Sequence, residues 1–160
     1  MAVILSDEEI THLLAEAKPL PDNFRVKIQV RPKRGHRESE LDIKGDNGSD
    51  FRLIVRQSLI NALDFSIILT YMPPKSNQLF RLRRYNGKSH EHTNSIEDRT
   101  FYDYHIHYAT ARYQEIGARE DSYAEATDRY ADLQQAVTCM IQDCSFQLPP
   151  NPQGQLFEDA

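Results

Sequence analysis

The sequence predicts an α+β domain: an antiparallel β-sheet meander of about seven strands, with an N-terminal and a C-terminal helix packed on one face. Three observations carry this. Apolar residues recur at helical spacing near both ends of the chain and at a spacing of two between them. The strand-like runs are joined by short connections rich in turn residues, which favours neighbouring antiparallel strands. No fixed-period repeat, low-complexity tract or linker interrupts residues 1–148, which read as one domain followed by an extended tail over 149–160.

Taken in order, Ser6 with Glu9 forms a capping-box pattern, and Ile10, Leu13, Leu14 and Ala17 follow at helical spacing until Pro19 and Pro21 end the segment. From Phe24 to Val30 the period becomes two, with Phe24, Val26, Ile28 and Val30 on one side and Arg25, Lys27, Gln29 and Arg31 on the other, which predicts a strand. Residues 32–36 read as a turn, Leu41 and Ile43 as a second strand, and Asp46-Asn47-Gly48 as the next turn. Phe51, Leu53 and Val55 mark a third strand, and the apolar run from Phe65 to Tyr71 marks a fourth, more central one. Leu79 to Tyr85 is the fifth, Asn86-Gly87 a hairpin turn, Lys88 to Thr93 the sixth and Thr100 to Tyr108 the seventh. Residues 109–131 read as a loop with helical turns. Asp132 with Gln135 then opens a helix carrying Leu133, Val137, Met140 and Cys144 on one face.

Composition narrows the function classes. A charged share of 27% beside 39% hydrophobic residues is that of a globular chain and not a disordered one. No apolar run approaches the roughly 20 residues of a membrane-spanning helix, and the chain opens on Asp7-Glu8-Glu9, so a cytoplasmic protein without membrane contact is expected. Cys139 and Cys144 lie five apart on a predicted helix, turned to different sides, and form no redox motif; Cys144 continues an apolar stripe and reads as a buried small apolar residue. The net charge of −5 is uneven: residues 18–88 hold 15 Lys and Arg against 7 Asp and Glu, and residues 91–160 hold 4 against 13. That bias points to an anionic partner for the first half, or to the solvated outer faces of strands.

Chemistry concentrates between Leu79 and Ala109. A two-residue Asn86-Gly87 turn sets Arg83 opposite His90 and Arg81 opposite His92 on one face. In the next strand Tyr102, Tyr104, Ile106 and Tyr108 alternate with Phe101, Asp103, His105 and His107, so the two His-x-His pairs lie side by side if the strands pair. The alternating tyrosines read as the inner layer of the sheet, with stacking on nucleic-acid bases as the alternative. Arg31, Lys33, Arg34, His36 and Arg37 form a basic turn that can touch a phosphate backbone or simply be solvated.

Three readings of the His/Arg face compete. In the first, His90, His92, His105 and His107 supply a general acid and base while Arg81 and Arg83, with Arg31, Lys33 and Arg34, hold phosphate, the equipment for metal-independent cleavage of RNA through its 2′-hydroxyl. In the second, three imidazoles, or imidazoles with Asp103, hold zinc or another transition metal. In the third, the face is polar surface that docks a protein partner or does nothing. A nucleic-acid-acting protein of RNase type leads as the functional reading, and a non-enzymatic binding protein follows. Arginine beside the imidazoles repels a cation, so no cofactor and no stoichiometric zinc are expected.

The blocks from Phe80 to Asn94 (FRLRRYNGKSHEHTN) and from Phe101 to Thr110 (FYDYHIHYAT) resemble an uncharacterised family of small bacterial proteins, over most of the chain. The resemblance carries over no functional residue. The small stand-alone members of that family imply a mobile-element setting, such as a toxin with a neutralising partner.

Overall fold

The structure, a computed structural model, describes residues 3–150. In chain order the elements are α1 (Asp7–Ala15), β1 (Lys18–Pro19), α2 (Phe24–Lys27), β2 (Arg31–Lys33), β3 (His36–Lys44), β4 (Asp50–Ser58), β5 (Phe65–Met72), β6 (Phe80–Asn86), β7 (His92–Asn94), β8 (Arg99–Phe101), β9 (His105–Tyr108), α3 (Ala111–Glu115), β10 (Tyr123–Ala126), α4 (Leu133–Asp143) and β11 (Phe146–Gln147). Seven strands form one antiparallel sheet in the order β10-β9-β6-β5-β4-β3-β2. It is the expected meander, interrupted once where β7 and β8 leave the sheet as a separate two-stranded ribbon. The α+β class holds.

One face of the sheet carries the apolar core. Leu41, Ile43, Phe51, Leu53, Val55, Phe65, Ile67, Leu69, Leu82, Tyr85 and Ile106 pack with Ile10 of α1, Phe24 of α2 and Ala136, Cys139 and Met140 of α4. Both end helices start as their sequences dictate. Ser6 and Glu9 cap α1 reciprocally, and the Asp132 carboxylate accepts from the Gln135 amide to open α4. A short parallel pair, β1 with β11, joins the two ends. Buried Lys18 adds to that tie by donating to the carbonyls of Leu13, Leu14, Glu16 and Cys144. Both cysteines are buried free thiols.

The structure corrects several sequence expectations. Phe24 to Val30 is not a strand: one helical turn covers Phe24–Lys27. Phe24 and Ile28, four apart, suit either period. Val26, which only a strand would bury, is 55% exposed. The turn placed at 32–36 is narrower, because Arg31–Lys33 pairs with His36–Glu38 across Arg34-Gly35, with Gly35 at φ 82°. The second strand accordingly runs from His36 to Lys44. In 109–131 the expected loop contains α3 and also β10, the last strand of the sheet. Of the proposed tail, residues 151–160 lie outside the described residues.

The largest correction concerns Asn86-Gly87, which is not a hairpin turn. Asn86 remains in β6, paired with Ser66 on one side and His105 on the other. Gly87 lacks a positive φ and is needed for room, since a Cβ there would lie 1.9 Å from the Leu63 carbonyl oxygen. Residues 88–93 therefore add no strand beside β6. Only His92–Asn94 is extended, and it pairs with Arg99–Phe101. The expected seventh strand likewise divides into β8 and β9.

Candidate metal centre

Which side chains meet on the second face of the sheet is decided by a β-bulge in β6. Leu69 pairs with Arg83 but the next residue, Thr70, pairs with Arg81, so Leu82 is the extra residue. Past the bulge the alternation is reversed. Arg83 joins the core side, over the Tyr108 ring at 4.7 Å, and Arg84 takes its place beside Arg81 on the second face. The expected oppositions of Arg83 to His90 and Arg81 to His92 do not occur.

The four histidines nevertheless converge. His105 and His107, two apart on β9, point to the second face as their alternation requires, opposite Asn86 and Arg84 of β6. His92 at the start of β7, and His90 in the segment leading into it, approach from the other side. Ring centroids lie 4.9 Å apart for His92 and His107, 5.0 Å for His105 and His107, 5.4 Å for His92 and His105, and 5.3 Å for His90 and His105. The face was expected to be polar and open, yet His105 is fully buried and His107 is 2% exposed. The ribbon and the neighbouring strands cover them.

Hydrogen bonds fix the tautomer of three of these rings. His105 Nδ1 lies 2.7 Å from the Asp103 carbonyl oxygen and His107 Nδ1 lies 2.7 Å from that of Asp121. A carbonyl only accepts, so Nδ1 carries the proton in both rings and each Nε2 keeps a lone pair when neutral. His92 Nε2 lies 2.8 Å from Asn94 Oδ1. The Asn94 amide is itself oriented by Ala124, whose N–H donates to Oδ1 at 2.9 Å and whose carbonyl accepts from Nδ2 at 2.7 Å. Its oxygen therefore faces His92, Nε2 donates, and Nδ1 holds the lone pair. One ring nitrogen from each of His92, His105 and His107 lies within 4.8 Å of the other two. No fourth His, Cys, Asp or Glu joins that group among the described residues.

Electrostatics keep the buried rings neutral. Burial, reinforced by His92, His90 and Arg84, lowers the His105 pKa to about 4 against the Asp103 carbonyl, which opposes the shift. Burial and then Arg84, His105 and His92 lower His107 to about 2, opposed by the Asp121 carbonyl. Near neutral pH both rings thus present lone pairs and no charge. Among the described residues, His105 Nε2 receives one long hydrogen bond, from Asn86 Nδ2 at 3.4 Å, and buried His107 Nε2 receives none.

The arginine charge is largely compensated. Arg84 Nε donates to Asp121 Oδ2 at 3.1 Å, and Arg81 lies 3.3 Å from Glu120 and 3.4 Å from Asp121. Sequence reasoning missed Arg84, Asn94, Glu120 and Asp121, because nothing local marks a bulge or a partner from a distant loop. The basic turn is elsewhere. Lys33, with His36 and Arg56, pairs to Glu38, and β2 lies at the opposite end of the sheet from β10. Four strands separate β2 from β9, or roughly 24 Å at about 4.8 Å per strand, so Arg31, Lys33 and Arg34 cannot share a small ligand with the histidines.

Comparison with known proteins agrees with the family suggested by the two sequence blocks: the chain belongs to a family of unknown function (DUF6978), whose model matches residues 5–146. No curated protein and no solved structure matches it. Among the described residues no helix is long and apolar enough to cross a membrane.

Proposed function

We propose that this protein binds one transition-metal ion, zinc being the best suited, through His92 Nδ1, His105 Nε2 and His107 Nε2. The supporting observation is the fixed tautomers: each imidazole spends its N–H on an oxygen that is itself held in place, and the remaining lone pairs belong to rings packed against one another. An oxygen acceptor on the distal N–H is what orients a ligating histidine and raises its basicity. Among the described residues His107 Nε2 is a buried acceptor with no donor, which costs about 1–3 kcal/mol. Tetrahedral zinc with Zn–N near 2.0–2.1 Å sets nitrogens roughly 3.3–3.4 Å apart, so the group closes by up to about 1.5 Å on loading. His92, half-buried on the two-stranded ribbon, is the most exposed of the three.

The objection from arginine charge rested on Arg81 and Arg83 facing the imidazoles. Arg83 lies on the core side, and Asp121 and Glu120 pair with Arg81 and Arg84. Elemental analysis of protein purified without an affinity tag tests the proposal. About one zinc per chain is expected, together with its loss in His105→Ala and His107→Ala variants that keep their secondary structure. An apoprotein that takes up neither zinc nor cobalt would overturn it.

A second reading, metal-free cleavage of RNA, draws on exposed His90 and half-buried His92 beside Arg84. His105 and His107 suit it poorly, since burial disfavours the imidazolium that a general acid needs and their remaining N–H is held by a backbone carbonyl. RNA cleavage by the protein in excess chelator would favour this reading.

A further inference from the structure

We infer that the three-histidine centre is hydrolytic and acts on a small phosphate ester bound between the metal and Arg84. This rests on the metal reading and goes beyond it in naming a reaction and a substrate class. A structural zinc site is closed by four protein donors, whereas a catalytic one keeps a position open for water or substrate. Here three imidazoles bring nitrogens within 4.8 Å of one another and, among the described residues, no fourth donor joins that group, exposed His90 lining the cleft outside it. The open side also has somewhere to lead. His92 and His107 line a cleft of about 310 Å³ whose wall includes Arg84, Arg119, Ser95 and Ser122. The volume suits a small molecule better than a folded polymer.

The cleft wall also holds Asp121, which pairs with Arg84 and Arg81, so Arg119 is the positive charge left over and Arg84 contributes its remaining N–H donors toward an anion. Arg84 is pinned through Nε by buried Asp121, which leaves the other edge of its planar guanidinium to bridge two oxygens of a phosphoryl group. Arg119 adds a second positive group on the same wall. A metal on the imidazoles and a guanidinium beside them can neutralise the oxygens on which charge builds during attack at phosphorus.

The step balances with water as co-substrate. A metal held by the three imidazoles would supply the nucleophile, since bound water, its pKa lowered to about 7, would give a proton to solvent. That oxygen would form a bond to phosphorus as the bond from phosphorus to the ester oxygen breaks, and the departing alkoxide would take a proton from solvent. The ester and water become phosphate and alcohol, and nothing is oxidised or reduced.

The test uses full-length protein reconstituted with one equivalent of zinc, supplied with p-nitrophenyl phosphate, bis(p-nitrophenyl) phosphate or p-nitrophenyl acetate, and followed by nitrophenolate release. We expect zinc-dependent turnover of a phosphate substrate. Arg84→Gln should reduce it by about 10²-fold, the usual effect of removing one preorganised donor, at unchanged zinc content, and Arg119→Gln should raise KM. In the cobalt-substituted protein, inorganic phosphate should shift the visible spectrum, a readout that does not depend on turnover. Stoichiometric zinc with phosphate-ester cleavage no faster than free zinc, or turnover of the acetate alone, overturns the inference and leaves the metal reading intact. Turnover indifferent to both arginine variants overturns the substrate class. Absence of zinc binding overturns both.

Discussion

Asn94→Ala separates the tautomer argument from simple proximity of the rings. The Asn94 amide occupies the outward N–H and carbonyl of Ala124 in the edge strand β10, and its oxygen also receives the His92 proton. Truncation leaves two backbone groups of Ala124, a residue 1% exposed, without partners. At about 1–3 kcal/mol for each buried unpartnered group, and with water entering as the ribbon loosens, the expected loss of stability is about 2–3 kcal/mol. His92 also loses the oxygen that holds its proton on Nε2. Removing such an orienting acceptor costs 10- to 100-fold in metal affinity, or about 1.4–2.7 kcal/mol. Asn94→Asp keeps an oxygen for His92 and for the Ala124 N–H but turns its second oxygen on the Ala124 carbonyl. It should therefore lose stability while keeping metal affinity. Urea denaturation of the apoproteins measures the first quantity, and competition with a chromogenic chelator the second. Wild-type zinc affinity in Asn94→Ala, alongside its loss in His92→Ala, would refute the account of the tautomers.

Gly87→Ala tests why the Asn-Gly pair is present. A Cβ 1.9 Å from a backbone oxygen cannot be relieved by a rotamer change, so the cost should reach about 3 kcal/mol and lower Tm by roughly 6–12 °C; a mild effect would show that the segment is a permissive turn. Glu38 should set part of the acid limb of stability. Its carboxylate is held at about 2, first by His36 and then by Lys33 and Arg56. Because the folded pKa lies below the unfolded one, its contribution is present above pH 4.5 and is lost as pH falls towards 2. Glu38→Gln should flatten urea-measured stability over that window, with a loss at neutral pH under about 1 kcal/mol.

Much of the fold can be read in the chain because its strands alternate cleanly against one core. Leu41 to Ile43, Phe51 to Val55 and Phe65 to Tyr71 each place every second apolar residue on the same face, and the Ser6 and Asp132 caps mark the starts of the two longer helices. Legibility fails where two patterns coincide or where long-range packing dictates the residue. Phe24 and Ile28 satisfy both periods, so alternation alone cannot exclude the helical turn that Val26 betrays by its exposure. At Gly87 the residue type reports crowding by Leu63, a contact between segments that no dipeptide rule contains.

The site shows the same division, with a chemical consequence. Alternation on β9 requires His105 and His107 to share a face, and the short connection brings His90 and His92 near them, although by way of a separate ribbon and not by a hairpin with β6. Their chemistry was not legible. Whether clustered imidazoles are cations that need an anion, proton carriers or neutral ligands depends on burial and on which nitrogen holds the proton. Those properties are set by the Asp103 and Asp121 carbonyls and by Asn94, none of which is marked in the sequence as a partner. The bulge then removes the remaining objection. By exchanging Arg83 for Arg84 on the second face it replaces an arginine stacked on Tyr108 with one tied to Asp121. A face that looks strongly cationic in sequence becomes one where neutral rings lie beside a compensated guanidinium, and that setting favours a metal ion over a shuttling proton.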